Sequence, residues 1–169
     1  KFISPIMTNS ESIFQFGNNA YGKPATALNI LRETIMGRDL FDHAFKIYCE
    51  RWKFKHPTPA DFFRTMENVG GEDLSWFWRG WFINNWRLDQ GIQKVKYLKN
   101  DPSKGAIITI DNLEKMAMPV TLEIKTKSGK TLEVKLPVEV WMRNSSWQIK
   151  SQTTEEIESI TIDPNHNFP

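Results

Sequence analysis

Few residues in this 169-residue chain could do chemistry, and their spacing limits what that chemistry is. The histidines are His43, His56 and His166. None forms the HExxH pattern, in which two imidazoles one helical turn apart share a zinc ion and the glutamate activates water. The spacing instead puts His43 on a helix surface, His56 in a loop before Pro57, and His166 in a polar tail. Cys49 is the single cysteine. It can form no internal disulfide, has no partnered base in sequence, and reads as a buried helix thiol rather than a nucleophile. Nucleophile-elbow, phosphate-loop and dinucleotide-binding glycine patterns are all missing. Asp61, Glu72 and Asp73 fall at expected helix starts, where capping explains them better than acid–base work. That leaves Tyr21, set in NNAYGKPA among small or polar neighbours that do not demand an aromatic. It reads either as a packing phenol or as a proton-bearing donor aimed into a cleft at a helix start. The residues alone favour packing.

The elements that would position these side chains fall into two groups. Before Gly91 the apolar period is about 3.6, and after it the period is 2. A first helix is expected to begin near Tyr21, with Pro24 in its first turn and Leu28, Leu31 and Ile35 on one face. Gly37 ends it with a positive backbone angle. A second helix carries Phe41, Ala44, Phe45, Tyr48 and Trp52. The third has a capping threonine at Thr58, Pro59 at its first position and Asp61 near its positive end. Phe62, Met66 and Val69 share one face before Gly70-Gly71 stops it. The fourth lies in DLSWFWRGWFINNW, residues 73–86, which holds four of the seven tryptophans. Leu74, Phe77, Trp78, Trp81 and Phe82 form its stripe, with Trp76 outside it, so most of the indole is expected to be core.

After Gly91, Val120, Leu122, Ile124 and Thr126 alternate with Thr121, Glu123, Lys125 and Lys127. Ser128-Gly129 makes a turn, and Leu132, Val134, Leu136, Val138 and Val140 resume the apolar face. Further strands are expected over 93–98, 106–110, 147–150 and 157–162, and Pro137 marks an edge strand or a bulge. The fold class is therefore α+β: a helical segment over 1–90, then an antiparallel β-sandwich over 91–169 with one wet face.

Composition excludes several functions. The 22 basic and 20 acidic side chains leave a net charge of +2, with no basic run to track a phosphate backbone, so no nucleic-acid partner is expected. Each half has 11 basic and 10 acidic groups, whereas 17 of the 21 aromatics precede Gly91. Arg79, Asn84, Asn85 and Arg87 interrupt the tryptophan segment, and no transmembrane segment is expected. The chain opens on Lys1 without a signal peptide and reads as a mature or excised piece.

Taken together, the stretch from Tyr21 to about Asp89 resembles the gluzincin aminopeptidases, the zinc metallopeptidase family of aminopeptidase N and leukotriene hydrolase. The shared features are Tyr21-x-Lys23 opening a helix and a leucine-bearing face. Gly37, a helix ending near Tyr48, Thr58-x-x-Asp61-Phe62 and a Glu67-to-Leu74 stretch before a tryptophan helix continue the pattern. Pro24 stands where the family commonly has glycine.

The resemblance implies a thermolysin-like catalytic domain whose zinc motif and downstream glutamate ligand lie upstream of Lys1. No metal or cofactor site is then expected within this chain, zinc belongs to the parent enzyme, and the substrate is a peptide hydrolysed at its N-terminus. Tyr21 would match the tyrosine that stabilises the oxyanion of the tetrahedral intermediate. The helical lobe would pack on the zinc-bearing half of its own chain, and family habit would put the parent outside the cytoplasm. The competing readings are an inactive peptidase-like scaffold and a module that grips glycans or protein partners.

Overall fold

The computed structural model describes residues 3–168. Its helices and antiparallel strands make an α+β chain that divides into two compact units, Lys1–Asn85 and Trp86–Pro169.

The helical unit starts earlier than Tyr21. Helix begins at Gly17, π-wound over Gly17–Gly22, continues as α1 (Lys23–Ile30), and is π-wound again over Leu31–Ile35. Polar Asn18 and Asn19 are weak helix formers, which is why the period did not reach back to them. Gly37 breaks the run at φ +81°, a conformation costly for any residue with a Cβ. Helix α2 (Arg38–Trp52) follows. Arg32 then grips Asp42 bidentately, at 2.6 and 2.7 Å, and holds the end of the first run against α2.

Helix α3 (Pro59–Gly70) starts as its sequence dictates. The Asp61 carboxylate accepts from both the backbone N–H and the hydroxyl of Thr58, each at 2.8 Å. Gly71 closes the helix in the left-handed region. The tryptophan segment forms α4 (Ser75–Trp78) and a π turn over Arg79–Ile83.

Leu74, Phe77, Trp78, Trp81 and Phe82 are all buried, with Ala27, Leu31, Phe41, Ala44 and Met66. Phe63 stacks on Trp78 at 4.3 Å between ring centroids, while Phe62 and Phe82 meet Trp78 edge-on at 6.0 and 5.4 Å. Such offset and edge geometries add to the area that each aromatic buries. The indoles of Trp78 and Trp81 are core, as the stripe predicts.

The second unit holds two three-stranded antiparallel sheets. The strands are β1 (Gln90–Tyr97), β2 (Ala106–Asn112), β3 (Val120–Thr126), β4 (Thr131–Leu136), β5 (Ser146–Ser151) and β6 (Ile157–Ile162). Their orders are β1-β2-β5 and β4-β3-β6. Ile108 and Ile110 of the first sheet and Val120, Leu122 and Ile124 of the second share one apolar cluster with Val140 and Trp141. One expectation fails here: Val138 and Val140 belong to a 3-10 turn, Val138–Trp141, not to β4. Pro137 ends the edge strand, because it has no N–H with which to continue a ladder.

No helix among the described residues is long and apolar enough to cross a membrane.

Candidate functional site

The start of the first helix is pinned on one face and exposed on the other. Asn19 is buried, and its side-chain oxygen accepts the N–H of Ser4 at 3.2 Å while its amide donates to the carbonyl of Phe14 at 2.6 Å. One helical turn later, the Lys23 ammonium donates to the carbonyls of Ser4 and Asn84, both at 3.3 Å. Both backbone groups of Ser4 are thus held by side chains at i and i+4, which share a helix face. The same threaded segment is fixed again where the Met7 N–H donates to Phe82 O at 3.0 Å. Lys23 is half buried, and burial lowers the pKa of its ammonium.

Tyr21 lies between these two anchors in sequence and away from them in space. Two residues on from Asn19, it falls on roughly the opposite side of the helix. It is 67% exposed, and its ring makes a T-shaped pair with Phe16 at 5.6 Å between centroids. The phenol is therefore not the buried packing group that the residues alone favoured. Its hydroxyl belongs to a side chain displayed by a helix whose opposite face is fixed.

The other candidates do not join it. His43 is exposed on α2, His56 is exposed in the loop before Pro57, and His166 is exposed near the end of the chain. Cys49 is exposed, not buried: it sits one position past Tyr48, just off the apolar stripe of α2. Asp61 caps α3, and Asp73 accepts the N–H of Ser75 at 2.8 Å. Glu72 is exposed in the turn before α4. Among the described residues, no three His, Cys, Asp or Glu side chains come together as a set that could hold a metal ion. The donors present do not fit a zinc site, which needs about three converging protein ligands.

In the β unit, Ile92, Val95, Tyr97, Ile157 and Ile160 line a shallow groove of about 340 Å³. Two of its polar groups are engaged within the unit: Tyr97 Oη accepts the Ile157 N–H at 2.9 Å, and Glu158 pairs with Lys125 at 3.2 Å. Asn19 and the anchoring role of Lys23 escaped the sequence reading. The signal available was an asparagine and a lysine four apart, two residues either side of Tyr21.

The architecture thus defines an α+β chain whose displayed tyrosine is fixed from behind. No family model matches this chain, and no curated protein does either. Among solved structures, it is similar to the aminopeptidase A of Legionella pneumophila, crystallised in complex with aspartic acid. The two share 16% sequence identity and a TM-score of 0.54 over 86% of this chain. The chain spans 16% of the length of that enzyme. At this identity the likeness is one of fold.

Proposed function

We propose that this chain is the C-terminal part of a zinc metallopeptidase's catalytic domain together with the β-sandwich that follows it. In this reading the enzyme is an aminopeptidase, and Tyr21 stabilises its oxyanion. The observation that carries the reading is the exposed phenol of Tyr21 on a helix anchored behind it by Asn19 and Lys23. The fold likeness to an aminopeptidase supports the same reading.

Hydrolysis of a peptide bond builds negative charge on the carbonyl oxygen as water adds. A phenol O–H held where that oxygen will be donates a hydrogen bond that strengthens as the charge develops. Such a donor is effective only where water is excluded, since bulk solvent weakens the interaction. The face that carries Tyr21, with Phe14 and Phe16 also exposed, would be covered by the zinc-bearing half of the same polypeptide. Zinc, on this reading, is held by residues outside this chain and supplies the Lewis acid when bound.

Metal analysis tests that assignment of the ligands. After equilibration with zinc and exhaustive dialysis, the 169-residue chain is expected to keep far less than one zinc per molecule. One tightly held zinc per chain would overturn the assignment. The polypeptide extended upstream is expected to hydrolyse aminoacyl substrates, and inactivity despite a full complement of zinc would favour the inactive scaffold.

A further inference from the structure

We propose that Lys23 and Asn19 are positioning residues: their shared grip on Ser4 fixes the rotation of the helix start and so the direction in which Tyr21 points. The inference rests on the reading of Tyr21 given above.

The reasons are geometric and energetic. The side chains at i and i+4 take the N–H and the C=O of one residue, Ser4, at 3.2 and 3.3 Å. Lys23 adds Asn84, so three segments far apart in sequence meet at one ammonium. Among the described residues no carboxylate pairs with Lys23. A half-buried ammonium without a carboxylate is a poor choice for stability, and an apolar side chain of similar length would cost less. What the ammonium supplies is direction, because reaching two carbonyls at once narrows the helix rotations open to it. That rotation matters here because the backbone at 17–22 is π-wound, a geometry rare enough to require local support. With the clamp at one side of the helix and Tyr21 at the other, releasing the clamp turns the phenol.

Two experiments separate this inference from the reading it rests on. In the 169-residue chain, NMR is expected to show slow amide exchange at Ser4 and contacts between the Phe16 and Tyr21 rings. Lys23→Met should lose both while keeping the α3 and β-unit signals, and Lys23→Arg should restore them. Persistence of both in Lys23→Met would overturn the proposal.

Kinetics follow in the polypeptide that also carries the zinc-bearing half. There Lys23→Met should lower kcat by about tenfold to a hundredfold with KM within about twofold, as expected when a reacting group is misplaced. The Tyr21→Phe/Lys23→Met double variant should be no slower than Tyr21→Phe, because both changes act through one hydroxyl. Full multiplication of the two losses would show that Lys23 acts elsewhere and overturn the proposal. If Tyr21→Phe is itself unimpaired, the catalytic reading of Tyr21 falls, and the positioning role falls with it even where NMR shows the clamp.

Discussion

The Glu67 carboxylate reaches from α3 to the tryptophan segment and accepts two hydrogen bonds on one oxygen. The indole N–H of Trp78 donates to it at 3.0 Å and the backbone N–H of Leu74 at 3.2 Å. The glutamate of the Glu67-to-Leu74 stretch is thus structural: it satisfies an orphan N–H ahead of α4 and orients the indole on which Phe63 stacks. Glu67→Ala leaves both donors without that partner and is expected to destabilise the helical unit by about 1–3 kcal/mol. Glu67→Gln keeps an acceptor oxygen and should cost less. Urea unfolding followed by tryptophan fluorescence measures both, and equal losses would contradict the two-donor account.

A second prediction concerns acid. Hydrogen bonds from the backbone and hydroxyl of Thr58 hold the Asp61 carboxyl below its ordinary value, and those from Ser75 do the same for Asp73. For groups depressed on folding, the stabilisation is complete above the unfolded value, about 3.9 for aspartate. It is lost as pH falls from there through the lower folded values. The melting temperature should therefore drop as pH falls below about 4, and the drop should be shallower in Asp61→Asn. An identical slope in that variant would remove Asp61 from the account.

Cys49 supplies a third test. Exposed on α2, its thiol should react with a disulfide reagent in the native chain, without denaturant, to one equivalent. Reaction only after unfolding would mean that the thiol is buried after all.

The fourth is a core truncation. Phe77 is fully buried between Trp76, Trp78 and Trp81. Phe77→Ala is expected to cost about 3–5 kcal/mol. A loss under about 1 kcal/mol would mean that the site collapses around the change or that the ring is not core.

What was legible in the sequence was whatever one short stretch decides by itself. Thr58, Pro59 and Asp61 specify the start of α3 within four residues, and the alternation from Val120 specifies β3. The Leu74-to-Phe82 stripe specifies the core face of the tryptophan segment. Features set by contacts distant in sequence were not legible. Helix extends back to Gly17 because Asn19 finds Ser4, which no local propensity reveals. Alternation runs on through Val138 and Val140, yet β4 stops at Leu136, since Pro137 cannot extend the ladder. The π turn over Arg79–Ile83 keeps the buried stripe of the tryptophan segment and leaves no mark in the period. Tyr21 was singled out by its surroundings in sequence, but its exposure depended on where Lys23 and Asn19 are anchored.

On the proposed reading Tyr21 acts on the reacting oxygen, and the sharpest measurement is steady-state kinetics of Tyr21→Phe in a polypeptide extended upstream to include the proposed zinc-bearing half. The substitution removes one hydroxyl from an exposed ring, so the melting temperature should hardly move. The account predicts a fall in kcat of about 10²–10³ with KM nearly unchanged, the loss expected for one oxyanion donor. Turnover within about threefold of the parent, far short of that loss, would contradict it.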